Sequence, residues 1–342
     1  MKIPSNSSVL ISGIHPVSLA FASILGVCGV KVLMIDEAAT NTSETVSFKI
    51  DYYSFELLKH LGFDLADSEE FAINQADFIK QSLKILATNL CSVIWNTQLQ
   101  AKPKANDNTY LLKHDDEIIT HQSQFFYTLD DLLIDELNAR LNFRNNFLLA
   151  WRLLGILEKN LKPKILYSYP KETELLKAHF TNREITKNPF QKLLNKLSTS
   201  KKQGLHLIDS SISIHLSQHR DIEAGEILPD LAFYDEQLKA PSSLYKWCNY
   251  RHFSVFFFGH LTSSHLFTIA KWIQLNYKVQ LFYLPPSEKN QSVFDAFQIR
   301  EGERKTLIIR PDRYIGLIND AIDIDIIDNY LNSVLGMRAK AE

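Results

Sequence analysis

The feature that most constrains this 342-residue chain is the stretch from Val9 to Glu37. Val9, Leu10 and Ile11 form an apolar run that stops at Gly13. Leu19 to Leu25 reads as an apolar helix, and Val30 to Ile35 as a second strand ending in Asp36 and Glu37. Strand, tight turn, helix, strand is the opening βαβ unit of a dinucleotide-binding fold. In that unit glycines let the backbone approach a pyrophosphate at a helix N-terminus, and an acid about 20 residues on holds a ribose. Where G-x-G-x-x-G belongs, this chain has Gly13-Ile14-His15-Pro16-Val17-Ser18. The first glycine is kept; His15 sets a side chain where the second leaves room for phosphate.

The same residues resemble the start of the FAD-dependent aromatic hydroxylases, in particular the phenol-hydroxylase-like members with a thioredoxin-like C-terminal domain. Pro16 and Leu19 match that family's V-L-I-V-G-A-G-P-A-G-L opening, and Ser54 to Phe63 is similar to the helix it places after its second strand. The resemblance makes Gly13, His15, Pro16 and Ser18 the candidate FAD-binding turn. Asp36, or Glu37 beside it, becomes the candidate ribose acid; a carboxylate solvated at a strand end accounts for the position equally well.

The resemblance returns further on. Phe147 to Leu157 is similar to the family's N-L-A-W-K-L-A-x-V-L helix. Pro163 to Glu172, with Tyr169-x-x-Glu172, is similar to the L-L-D-S-Y-x-x-E-R that follows it. Glu223 to Asp230 resembles the A-G-x-R-x-P-D entry to the thioredoxin-like domain, and Leu307 to Gly316 the L-V-R-P-D-G-Y-I-G hairpin. Phe253 to Phe258 is then its central strand, Ser264 to Leu275 its first helix, Val279 to Tyr283 the next strand and Ile326 to Leu335 the last helix. The residues after the central strand, Gly259 to Ser263, contain no cysteine, so dithiol exchange is excluded there. Arg310 and Asp312 read as hairpin-stabilising residues, and Trp151 with its leucines as a buried helix.

Departures from the family are equally plain. No glycine occurs between Gly62 and Gly155, and Asn142 to Asn146 stand where a glycine-containing loop precedes the Trp151 helix. A loop that turns backbone N–H groups toward a cofactor usually needs glycine. The family's Gly-Asp flavin motif and most of its β-rich substrate region are not visible. Lys84 to Trp95 and Thr109 to Lys113 read as strands, and a helix is expected to begin near Leu129, with Leu132, Leu133, Leu137 and Leu141 at helical spacing.

The net charge of −2 gives no electrostatic reason to expect nucleic acid or an anionic membrane as partner. Cys28, Cys91 and Cys248 form no C-x-x-C, as expected of reduced cytoplasmic thiols. No run is long and apolar enough to span a bilayer. His215 and His219 have metal-ligand spacing, but on a segment read as extended, and no metal site is expected. His260 and His265 read as surface histidines.

The expected fold is α/β: an FAD/NAD(P)-type Rossmann domain with a reduced substrate region over 1–181, a linker over 182–204, and a thioredoxin-like α/β domain over 205–342. The expected function is that of a degenerate, non-hydroxylating hydroxylase relative that binds a protein partner or itself, including as a dimer through the thioredoxin-like domain. The alternative is an active enzyme using FAD and NAD(P)H to hydroxylate a phenolic or other aromatic ring, and a third option puts another small ligand in the vacated cleft.

Overall fold

The computed structural model describes residues 3–39, 47–66, 71–101, 108–128, 136–185, 206–236 and 238–340. The chain divides into two compact units, Met1–Ala150 and Trp151–Glu342.

In the first unit the expected βαβ forms. Strand β1 (Asn6–Ser12) leads through α1 (Pro16–Val27) to β2 (Val32–Ile35), and β1 pairs parallel to β2 from Val9↔Val32 to Ser12↔Ile35. Val9, Leu10 and Ile11 are fully buried, as a parallel strand covered on both faces requires. A short antiparallel pair, β3 (Ser47–Lys49) and β4 (Ala72–Asn74), flanks α2 (Tyr52–His60); α3 (Gln75–Ala87) follows. Strands β5 (Cys91–Ile94), β6 (Thr97–Ala101), β7 (Thr109–His114) and β8 (Glu117–Thr128) complete the main sheet. Its order among the described strands is β5-β2-β1-β8-β7-β6. Strand β8 runs parallel to β1, while β7 and β6 return antiparallel. The sheet is Rossmann-like, with parallel strands at its centre and an antiparallel edge. One expectation fails here: Lys84 to Ala87 are the end of α3, not strand, because Phe78, Ile79, Ser82 and Leu86 form its buried stripe at helical spacing.

Helix α4 (Glu136–Leu157) runs through the segment where the resembled family has its glycine loop. Asn142 to Asn146 are not a loop before a new helix; they lie inside one continuous helix that carries Phe143 and Phe147 into the core. With no glycine or proline between Glu136 and Ala150, nothing local stops it. Residues 129–135, where a helix start was expected, lie outside the described residues.

In the second unit a 3₁₀ turn (Pro163–Ser168) leads into α5 (Tyr169–Ile185). Residues 151–185 fall in the C-terminal unit, 182–185 are the end of α5, and 186–204 lie outside the described residues. Of the segment around His215 that the sequence reads as extended, only β9 (Ile214–Leu216) is strand, and residues 208–212 form turns. A hairpin follows, β10 (Ala232–Asp235) with β11 (Ala240–Ser243). Then come β12 (Ser254–Gly259), α6 (Ser263–Asn276), β13 (Gln280–Leu284), α7 (Gln291–Ala296), β14 (Arg304–Ile309), β15 (Ile315–Asn319) and α8 (Ile324–Asp328), the last continued by a π-helical turn, Asn329–Val334.

The sheet of this unit has the order β13-β12-β14-β15-β9. Strands β12 and β13 are parallel, joined through α6, whereas β14 and β15 form an antiparallel hairpin beside β12. Val255, Phe256, Phe257 and Phe258 are all fully buried. Val255 and Phe257 pack into one core with Ile308 and Leu317, and Phe256 and Phe258 into another with Leu307 and Ile309. A strand's two-residue period thus feeds two apolar layers, each buried phenylalanine contributing about 1.5–3 kcal/mol. Among the described residues, no helix is long and apolar enough to cross a membrane.

Candidate functional site

Gly13 takes the left-handed conformation (φ +97°) that its type adopts without steric cost, and the chain turns sharply from β1 into α1. His15 is the N-cap: its Nδ1 accepts from the Ser18 N–H (3.3 Å), and the Ser18 hydroxyl accepts from the His15 N–H (3.1 Å). This reciprocal pair is a capping box built from histidine and serine rather than the usual serine and glutamate. The Ser18 hydroxyl donates to the Gly13 carbonyl (2.7 Å), and Pro16 occupies the first helical turn, where its missing N–H costs nothing. The His15 ring lies against Gly13, 3.5 Å from where a Cβ on that glycine would be.

The candidate ribose acid is drawn into the same arrangement. Asp36 accepts from the Ile14 N–H through Oδ2 (2.6 Å) and from the Ala38 N–H through Oδ1 (2.8 Å). Glu37 is exposed. The structure therefore brings Gly13, His15, Pro16, Ser18 and Asp36 together and leaves Glu37 outside. What they build is a closed turn. A pyrophosphate at a helix N-terminus is held by backbone N–H groups with nothing else to bond. Here those of Gly13, Ile14, His15 and Ser18 are taken by Ile35, Asp36, Ser18 and His15, and Pro16 has none to offer, which leaves the Val17 N–H as the one backbone donor of the turn open to a ligand. In this arrangement a dinucleotide phosphate would find a single open backbone donor and the His15 ring against Gly13, a poor fit.

Behind the turn, α4 is tied in by polar contacts. Asn146 donates to the Val17 carbonyl (2.7 Å) and accepts from the Tyr127 hydroxyl (2.8 Å). Arg144 clasps Asp51 in a fork, Nη2 to Oδ1 at 2.8 Å and Nε to Oδ2 at 3.2 Å, with its guanidinium 3.5 Å above the Tyr53 ring. Asp51 also caps α2 by accepting from the Ser54 N–H. Sequence reasoning missed this group. Asp51 was findable, because Asp-x-x-Ser before an apolar helix is an N-terminal signal; its pairing with Arg144 depends on the fold.

In the second unit, three stretches with family resemblance converge on one buried cluster. Arg152, from the Ala-Trp-Arg-Leu segment, meets Glu172, from Tyr-x-x-Glu, at 2.6 Å. Arg310 and Asp312, from the hairpin, complete it: Arg310 bonds both oxygens of Glu172 (2.7 and 3.0 Å) and both of Asp312 (2.6 and 3.0 Å). Trp151 Nε1 donates to Asp312 (2.6 Å), Ser210 to Glu172 (2.6 Å), and Arg152 to Ser168 (2.9 Å). The Arg152, Glu172 and Arg310 side chains are completely buried. Burial alone would push the Glu172 carboxyl up, but the two guanidinium groups and these hydrogen bonds outweigh it and bring it down to about 2. Two cations face two anions with their bonding partners in place. Such a cluster orders a core and has no group left to react.

The histidine expectations resolve by contact. His215 accepts from the Ala224 N–H at Nδ1 (3.2 Å), so its Nε2 carries the proton that goes to the His219 carbonyl (3.0 Å). Both ring nitrogens are occupied by backbone. Among the described residues no three His, Cys, Asp or Glu side chains are grouped to hold a metal, and Cys28, Cys91 and Cys248 form no disulfide. His260 and His265 are exposed.

No protein-family model and no curated protein matches the sequence. Solved structures do match. The flavin-dependent monooxygenase PieE, crystallised with FAD and substrate, superposes with a TM-score of 0.70 at 10% identity, over 97% of this chain and 99% of that one. The anhydrotetracycline hydroxylase OxyS from Streptomyces rimosus gives 0.68 at 12%, over 98% and 100%. Aklavinone-11 hydroxylase, with FAD and aklavinone, gives 0.70 at 12%, again over 98% and 100%. The fold of this chain is that of the flavin-dependent monooxygenases and hydroxylases.

Proposed function

We propose that this chain is a divergent, shortened relative of the FAD-dependent aromatic hydroxylases that has lost tight FAD binding and hydroxylation. It acts in the cytoplasm by binding a protein partner or a second copy of itself. The observation that carries this reading is the Gly13–Ser18 turn, whose backbone donors, Val17 excepted, are bonded within the protein. The unbroken α4 supports it, since the glycine loop that should precede the Trp151 helix is replaced by helix. The C-terminal unit is a thioredoxin-like domain on this reading. Its parallel β12–α6–β13, antiparallel β14–β15 and closing helix support that assignment, and the absence of cysteine after β12 makes it a packing module rather than a redox one.

A second reading is favoured by the fold likeness itself, which extends over nearly the whole chain to proteins crystallised with FAD. On it, the turn opens when FAD arrives, and the chain is an FAD- and NAD(P)H-dependent monooxygenase of an aromatic substrate. The visible spectrum of the purified protein, before and after incubation with excess FAD and desalting, decides between them. A protein that stays colourless supports cofactor loss; retained flavin absorption overturns it and directs attention to NAD(P)H oxidation with phenols.

A further inference from the structure

Strand β9 is the outermost strand on one side of the second unit's sheet. On its inner side it pairs with β15, from Ile214↔Leu317 to Leu216↔Asn319. On its outer side no described residue bonds its backbone. A parallel pair engages alternate peptide groups, so the others point outward as a template for a further strand. The two faces at this edge differ. His215 takes one face, where its ring is tied to the Ala224 N–H and the His219 carbonyl. Ile214 and Leu216 fall on the other. There they border an apolar recess of about 300 Å³ that Leu317, Ile326, Tyr330 and Val334 complete. Tyr330 fixes its wall by donating from the hydroxyl to the Ile212 carbonyl (2.9 Å), while Leu216 is 48% exposed. A strand laid along β9 sets every second side chain on this face, and an aliphatic one fills the recess.

Charge decides what kind of strand fits. Among the described residues lining the recess, the only charged one is Asp325 on α8. It is exposed, and no described donor or cation bonds its carboxylate. From Asp320 to Val334 the chain holds four aspartates and neither lysine nor arginine. A second copy paired antiparallel through β9 would present the same surface to itself and set these two acidic segments side by side. Like charges brought together at an interface are unfavourable, whereas a strand bearing a cation meets the opposite sign. The open peptide groups of β9 match a peptide backbone, and an added strand takes its specificity from alternate side chains.

We infer that β9 takes up an extended segment of a partner protein as an added strand, with an aliphatic side chain in the recess and a lysine or arginine beside it against Asp325. The inference rests on the partner-binding reading above and names the class of partner. It is tested on the intact protein with a fluorescent, acetylated and amidated Thr-Leu-Thr-Lys-Thr-Leu-Thr peptide, which sets leucine, lysine and leucine on one face. This peptide is expected to bind saturably, and its counterpart with glutamate in place of lysine about fivefold more weakly. Leu216→Lys, which puts a charge where the added strand packs, is expected to weaken binding about tenfold or more. Asp325→Asn is expected to cost the lysine peptide about two- to fivefold, the loss of one exposed ion pair, and the glutamate peptide nothing. It carries the test should Leu216→Lys melt early. Hydrogen exchange of the bound protein is expected to slow at Ile214 to Leu216. Equal binding of the two peptides, binding undiminished by both variants, protection elsewhere, or no saturable binding would each overturn the inference. So would a concentration-dependent dimer that Leu216→Lys abolishes, since a second copy would then hold the edge. None of these readouts involves flavin, so a protein that stays colourless yet ignores the peptide loses this inference and keeps the cofactor reading.

Discussion

The Gly13–Ser18 turn and the Arg152–Glu172–Arg310 cluster are the two places where the chain most resembles the aromatic hydroxylases, and they have fared oppositely. In the turn, His15 and Ser18 stand where the family has glycines, and the backbone donors other than that of Val17 close on local partners. In the cluster, each family-like residue is in place and bonded to the others. The difference is one of where a residue's cost falls. An unpaired charge inside the second unit would cost several kcal/mol of stability. The turn carries no such cost, because its capping box supplies bonds to its own backbone.

The largest effect should come from breaking the cluster. Glu172→Ala leaves Arg152 and Arg310 buried without their shared carboxylate and is expected to destabilise the protein by about 3–5 kcal/mol, read from the midpoint of urea unfolding at constant slope. The same carboxylate predicts a pH dependence. Its folded pKa of about 2 lies below the unfolded 4.5, so its stabilisation is complete above pH 4.5 and is lost as pH falls from there toward 2. Wild type should show that loss in unfolding curves, and a Glu172→Gln variant should show less of it. Trp151→Phe removes one donor to Asp312 while Arg310 keeps its two bonds, and about 1–3 kcal/mol is expected. A value indistinguishable from zero would show the indole to be space-filling only.

Two smaller effects sharpen the other side of the comparison. Combined His15→Gly and Ser18→Gly substitutions restore the glycine spacing and remove the capping box. They should cost about 1–2 kcal/mol of stability and raise FAD affinity above wild type, measured by flavin fluorescence quenching; unchanged affinity would mean that the turn is not what blocks the cofactor. In the same sheet, His121 is buried, donating from Nδ1 to the Pro4 carbonyl (2.7 Å) and accepting from the Ser7 hydroxyl (2.8 Å). Burial lowers its pKa below 6.5. Stability is therefore unaffected by it above pH 6.5 and declines modestly as pH falls from 6.5 through the folded value, a titration that NMR of the ring proton follows directly.

Much of the fold was legible. Val9 to Ile11 announced a parallel strand, Gly13 its turn, and Phe253 to Phe258 a strand buried on both faces, because period and turn chemistry are local. The failures were also local in cause. Lys84 to Ala87 carry residues compatible with strand, and only their place in the buried stripe of α3 decides for helix. Asn142 to Asn146 looked like a loop by comparison with a family that needs one there; their own propensities do not forbid helix, and α4 runs through them. Glu172, paired with Arg152, also bonds Arg310 in a hairpin 138 residues further on, a contact no spacing rule reveals.

The sequence alone determined that this chain opens with a βαβ unit, that two of its three fingerprint glycines are missing, and that the second unit has no dithiol. Those are statements about residue types and short-range geometry. The tertiary structure decided what the missing glycines became, since whether His15 points into a phosphate seat or caps a helix depends on side-chain direction. It also decided that three scattered motif matches are a single charge-balanced cluster. Both outcomes turn on which polar groups find partners within bonding distance, and only the folded chain sets that.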